Sequence, residues 1–277
     1  MIKPTDLTLF IGGHDLEMRE ILSLVQEFRP QVEIHDQNLS WGAMASTYQA
    51  EIDQAIKDGN CPALVELGLD IPYAYVTTPS EWTNGKVLIV DHHDQFGGAG
   101  SMSSIEQLML LLSISCELSE ERQRRIALIS ANDVGHILSM LELEPPASNN
   151  EIGQIRKEER QIQGLSDADE KHAKECIQRR ELRCDDRLTI VRHQSRSSVA
   201  IGDFISEPLG GPGYKNLIVT SSTCTEFYGA RPVVEALANR FPPPSSWSGG
   251  ARVMSAYWGS KSATLPDVLE VVESLLG

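Results

Sequence analysis

The chain has 277 residues, 41% of them hydrophobic and 23% charged, with a formal net charge of −15. This is ordinary globular composition, enough for one large domain or two moderate ones. No apolar run approaches the roughly 20 residues of a membrane helix, and the opening MIKPTDLTLFIGG lacks the long apolar stretch of a signal peptide. A cytoplasmic protein without a membrane partner is expected. The five cysteines, Cys61, Cys116, Cys176, Cys184 and Cys224, are scattered and form no CxxC pair. That favours thiols in a reducing compartment over a zinc ribbon. The acidity is uneven: residues 1–145 carry 8 basic and 22 acidic side chains, and residues 188–277 carry 7 of each. So acidic a surface repels a long phosphate backbone, which excludes long nucleic acid as a partner.

In chain order, LTLFIGG (7–13) reads as a strand ending in two glycines, EMREILSLVQEF (17–28) as a helix and VEIHD (32–36) as a short strand. SWGAMASTYQAEIDQAIKDG (40–59) reads as a helix with Ser40 as N-cap and Gly59 as its stop. Strands follow at PALVELGLD (62–70) and KVLIVDHHD (86–94). Helices follow at 101–114 and 121–143, the latter with a break near Asn132. Strands alternating with helices of this length predict an α/β fold: a mostly parallel, Rossmann-like sheet with helices on both faces. PPASNN (145–150) interrupts the pattern. Residues 151–187 then hold 19 charged residues of both signs and read as solvated helices bridging two domains. LTIVRH, SVAIGDFI and NLIVTSS restore the strand signal, and 233–241 and 265–277 read as helices. The expected organisation is a first domain over 1–145, a charged helical linker over 146–187 and a smaller α+β domain over 188–277.

The most informative stretch is VLIVDHHD (87–94). A buried parallel strand delivers Asp91, His92 and His93 to its carboxyl end, where open α/β sheets bind ligands. The other strand ends carry similar residues: Gly12, Gly13, His14, Asp15 and Glu17 after the first, His35 and Asp36 after the second, Asp70 after the third with Glu66 inside it. Asp133 and His136 follow in SANDVGH. So many carboxylates along one rim repel one another unless cations neutralise them. Oxygen and imidazole donors without thiolate suit manganese, magnesium or a related ion.

With DHH after an apolar strand, a small-residue segment opening the next helix (Ser101 to Glu106), Asp70 lying 21 residues before Asp91, and Asp133 after that helix, residues 7–140 resemble the DHH phosphoesterase superfamily. That superfamily includes RecJ-type exonucleases, oligoribonucleases, cyclic-dinucleotide phosphodiesterases and exopolyphosphatases. The chain departs from its first motif: HDLE has Glu17 where a second Asp is usual, and the small-residue helix start resembles WGAMAS (41–46) instead. The C-terminal region resembles the small DHHA1-type domain of these enzymes. Its glycine-rich phosphate-gripping segment matches Ser248, Gly249, Gly250, Ala251 and Arg252, without the usual histidine.

The resemblance implies a metal-dependent phosphoesterase with two divalent ions, Mn2+ first, with Mg2+ or Co2+ as alternatives. It implies His14, Asp15, Glu17, Asp70, His92 and Asp133 as ligands, with Asp36 a further candidate at the catalytic centre. Asp91 would orient His92 through its other ring nitrogen, His93 would contact the scissile phosphate, and Gly249, Gly250 and Arg252 would bind substrate. The acidic surface suits a small substrate: a short oligonucleotide, a cyclic dinucleotide, a nucleotide bisphosphate or a polyphosphate. The sequence leaves the oligomeric state open, with a homodimer among the alternatives. The alternative is a non-catalytic nucleotide-binding protein that keeps the fold. Trp247, Tyr257 and Trp258 read as core or as base-stacking side chains. GGAGS (97–101) reads as a loop over the metal site or a plain turn. Arg156 and Arg160 read as linker residues or as cations facing an anionic substrate.

Overall fold

The computed structural model describes residues 6–71, 76–77, 87–93, 102–194, 198–250 and 256–277. They fall into two compact units, Met1–Ala147 and Ser148–Gly277. The first contains β1 (Leu7–Ile11), α1 (Leu16–Phe28), β2 (Glu33–His35), α2 (Gln49–Lys57), β3 (Cys61–Val65), β4 (Val76–Thr77), β5 (Val87–Val90), α3 (Ser104–Leu112) and α4 (Glu120–Leu141). The five strands form one parallel sheet in the order β2-β1-β3-β5-β4.

Alternation along β1 explains the layers. Leu7, Leu9 and Ile11 face α1, α3 and α4 in a cluster that includes Ile21, Val25, Leu108 and Ile126. Phe10 faces the opposite side with Leu64, Ile89, Tyr48 and Ile52. Successive strand residues point to opposite faces, so helices are needed on both. The strands stop on a common line: Ile11 pairs with Val65, and Val65 with Val90. The first residues beyond these three strands are therefore Gly12, Glu66 and Asp91.

Two expectations change in this unit. Ser40 caps no helix; α2 begins at Gln49 after a 3-10 turn over Ala45–Tyr48. Residues 39–44 are instead tied to strand ends by a Gly13–Leu39 bridge and a Met44–Gly68 bridge, and those backbone bonds compete with helix. Gly59 does follow the helix end, with φ of 83°. The break in α4 falls at Gly135 and His136, His136 having φ of 59°, three to four residues later than Asn132.

The second unit contains α5 (Asn149–Ile162), α6 (Asp167–Gln178), β6 (Glu181–Arg183), β7 (Leu188–Arg192), α7 (Val199–Ile205), β8 (Leu217–Thr220), β9 (Thr225–Gly229), α8 (Arg231–Arg240), β10 (Ser246–Gly249), β11 (Ala256–Ser260) and α9 (Leu265–Leu276). Its sheet runs β10-β11-β9-β8-β7-β6, with only β7 and β8 parallel. One face packs on α8 and α9 through Phe227, Trp258, Leu237 and Val268. The other packs on α6 and α7 through Val191, Val219, Ala173 and Ile201.

The charged run is thus part of this unit and not a separate solvated linker. Ser148 with Glu151, and Ser166 with Asp169, form capping boxes that start α5 and α6. Arg156 and Arg160 are buried, bonded to Asp203 at 2.8 and 2.5 Å, and Arg160 also holds Glu170 at 2.8 Å. They are consumed inside the fold and do not face a substrate. SVAIGDFI is helical and not a strand, because Ala200, Ile201 and Ile205 bury one side while Asp203 meets the two arginines. Tertiary packing here overrides the β-branched composition.

Candidate metal centre

Two strand ends and two helices bring five ligand-type side chains together. Glu17, Glu66, His92 and Asp133 each offer an atom within 4.8 Å of the others, and Glu66, His92 and His93 form a second, overlapping group. Glu66 and His92 come from the ends of β3 and β5, Glu17 from the first turn of α1, and Asp133 from α4 just before its break.

Each ligand is held locally. Asp15 caps α1 by accepting from the Met18 amide at 2.8 Å, so the following turn aims Glu17 inward. Glu17 Oε1 accepts from the Ile105 amide at the start of α3, at 3.0 Å. That helix start is fixed by the Ser103–Glu106 capping box, and Gln107 donates to the Asp91 carbonyl at 2.8 Å. His92 Nδ1 lies 3.3 Å from Ser104 Oγ, which leaves Nε2 facing Asp133 Oδ2 at 2.7 Å. Glu66 adopts φ of 52°, a left-handed conformation that costs a non-glycine residue about 1–3 kcal/mol. Its surroundings enforce it: its amide donates to the Val90 carbonyl at 3.1 Å. Its carbonyl lies so near Gly12 that a Cβ there would sit 2.2 Å away. Gly12 is therefore required by close backbone approach.

The electrostatics of these side chains fit a cation. Glu17 Oε2, both oxygens of Glu66 and Asp133 Oδ2 are buried without a hydrogen-bond partner. Native interiors rarely leave such groups unsatisfied. Burial, then repulsion from Asp133 and Glu66, holds the Glu17 carboxyl well above its ordinary range. Burial, then repulsion from Asp133, also raises the Glu66 carboxyl. His92 Nε2 and Asp133 Oδ2 meet as an ion pair at 2.7 Å but not as an aligned hydrogen bond, a proximity that two ligands of one ion also show. Three carboxylates with unsatisfied buried oxygens, beside an imidazole, fit a divalent metal of oxygen and nitrogen preference.

The remaining sequence candidates lie elsewhere. Asp70 is exposed and accepts from the Ser46 amide at 2.9 Å and from its hydroxyl at 2.5 Å, bonds that hold its carboxyl below the usual range. It belongs to neither group; Glu66 stands in the place expected for it, because β3 ends at Val65 and not at residue 70. His14 Nε2 meets Asp36 Oδ1 at 2.8 Å, and Asp15 is engaged as a cap, so none of these three joins the groups. Asp91 does not orient His92. Its Oδ1 contacts His93 Nδ1 at 3.0 Å and accepts from the His93 amide at 2.8 Å. That bond, ahead of the opposing effect of burial, pushes the His93 imidazole up to about 9. Gly249 ends β10, and the carbonyl of Gly250 accepts from Arg231. Arg252 and the 97–101 loop lie outside the described residues. Trp258 is core, whereas Trp247 and Tyr257 are partly exposed.

Glu66, noted in the sequence inside the third strand but not assigned to the metal, belongs to both groups. The signal that finds it is register: Val65 pairs with Val90, so Glu66 and Asp91 occupy equivalent places past neighbouring strands.

Comparison with solved structures gives the fold. An exopolyphosphatase-related protein from Bacteroides fragilis superposes with a TM-score of 0.53 at 12% identity, over 98% of this chain and 92% of that one. A pGpG-specific phosphodiesterase from Vibrio cholerae matches at 0.44 and 13%, over 98% and 97%. The exonuclease RecJ bound to manganese matches at 0.47 and 11%, over 98% and 89%. No protein-family model matches the chain, and no curated protein does. The chain shares the two-unit α/β fold of that exopolyphosphatase-related protein. Among the described residues, no helix is long and apolar enough to cross a membrane.

Proposed function

We propose that the protein is a divalent-metal-dependent phosphoesterase acting on a small phosphorylated substrate. The observation that carries this reading is the set of buried, unpartnered carboxylate oxygens of Glu17, Glu66 and Asp133 around His92. Without a cation that arrangement is costly; with one it is a ligand set.

Glu17, Glu66, His92 and Asp133 would hold the first ion, and manganese suits the donors. A second ion, as the superfamily resemblance implies, would draw on His14 and Asp36, whose side chains meet at 2.8 Å outside that group. Such ions supply a low-pKa water and neutralise phosphoryl oxygens. The protein's own residues do the positioning. Ser104 leaves His92 Nε2 directed at Asp133. Asp91 holds His93 through Nδ1, so Nε2 is the donor left for a phosphate oxygen. For phosphate binding the superfamily resemblance implies Gly249, Gly250 and Arg252 of the second unit. The charge of residues 1–145, 8 basic against 22 acidic, supports a short substrate over a long polyanion.

The test is to supply manganese with short oligonucleotides, cyclic dinucleotides, nucleotide bisphosphates and polyphosphate. Turnover is expected from the wild type and is lost in His92→Ala and Glu66→Gln. Elemental analysis should give two ions per chain. Absence of both turnover and bound metal would defeat the proposal.

A further inference from the structure

Among the described residues, Trp41 is the most exposed of the large hydrophobic side chains, at 73%. It is not on a loose loop. A parallel bridge joins Gly13 to Leu39, and another joins Met44 to Gly68. Between them, the Ala43 amide donates to Ser40 O at 3.1 Å, Gly68 to Ala43 O at 2.9 Å, and Ala45 to Gly68 O at 2.9 Å. The Trp41 backbone lies so close to β1 that a Cβ on Gly13 would come within 2.5 Å of its Cα. The Ser46–Asp70 bonds brace the far side. A backbone fixed this firmly carries a large apolar ring out into water, although burial would normally stabilise it.

The ring stands beside the metal centre. Its centroid is 6.3 Å from that of His93, edge-on at 83°, and the His93 ring is 4.1 Å from His92. An uncharged indole face gives no grip on phosphate, which needs cations or N–H donors. It does match the flat face of a nucleobase, and stacking there tolerates any base. Condensed phosphate has no counterpart for it.

We propose that Trp41 stacks on a nucleobase of the substrate whose phosphate reaches the metal centre, so that the substrate class is nucleotide-bearing and not condensed phosphate. This rests on the phosphoesterase reading of the same site. Base stacking is worth about 1–3 kcal/mol by alanine substitution, which at 1.4 kcal/mol per tenfold is roughly 5- to 150-fold in affinity.

The experiment uses the full chain loaded with manganese and two probes, a 5′-phosphorylated adenine dinucleotide and tripolyphosphate. Equilibrium dialysis measures binding and a product assay measures kcat/KM. Trp41→Ala should weaken the dinucleotide about tenfold or more, Trp41→Phe should retain most of the affinity, and tripolyphosphate should change less than about twofold. A dinucleotide affinity unchanged by Trp41→Ala, or an equal loss for both probes, overturns the inference. Trp41-dependent binding without any turnover would leave it standing while the hydrolase reading fails. Hydrolysis of tripolyphosphate with no dinucleotide binding would do the reverse.

Discussion

Glu66 and Asp70 stand only four residues apart, yet their surroundings assign them different work. Glu66 is buried, strained and unpartnered; Asp70 is exposed and satisfied by Ser46. Glu66→Gln should therefore weaken manganese binding about 100-fold or more, since even outer groups around a metal are worth 10- to 100-fold. Asp70→Asn should leave affinity within about threefold, as isothermal titration will show. The carboxylates also dictate a pH dependence. Glu17 and Glu66 titrate higher in the folded protein than in the unfolded chain. The metal-free fold thus binds more protons, and its stability falls as pH rises through and beyond the ordinary carboxylate range. His93, raised to about 9, acts in the same direction: its contribution is complete below about 6.5 and is lost as pH climbs through 9. Added manganese relieves the carboxylate repulsion, so its increase in Tm should be larger at pH 8 than at pH 5.5. Equal increments at both values would refute the assignment.

At the scale of elements, two helices are organised by polar contacts that their own sequences do not advertise. In α7, Asp203 is fully buried and takes both Arg156 and Arg160 from α5. Removing one partner of such a group leaves uncompensated buried charge, at roughly 3–5 kcal/mol. Asp203→Ala should destabilise the second unit by that order in urea unfolding, with no effect on metal affinity. In α1, the Asp15 cap sets the helix phase that aims Glu17 inward. An N-cap loss costs about 1 kcal/mol, so Asp15→Ala should lower both helix stability and metal affinity, and Asp15→Ser should restore most of both. The helices α5 and α6 were legible from the mixed-charge pattern of 151–187, whereas α7 was not. Val199, Ile201 and Ile205 give a strand signal, and only the partnership of Asp203 with α5 favours the helix.

At the scale of the molecule, the acidity and the metal candidates share the first unit, while the second has nearly balanced charge. Metal binding adds stability to the unit that contains the ligands, by RT ln(1 + [L]/Kd). Calorimetry should thus show manganese raising the transition of the first unit, with Asp203→Ala lowering that of the second. Coincident shifts of both transitions would count against independent units.

The sequence by itself determined the parallel sheet, the rim on which ligands gather, and His92, Asp133 and Glu17 as members of the candidate site. The sheet and its rim follow from apolar runs and strand ends, which are local features, and the three ligands from the resemblance to the DHH superfamily. Tertiary structure decided that Glu66 and not Asp70 completes the group, and that Asp91 serves His93. It also decided that the charged segment belongs to the second unit and that Trp41 stays in solvent. These depend on where each strand stops relative to its neighbour and on contacts between residues tens of positions apart, which local pattern does not encode.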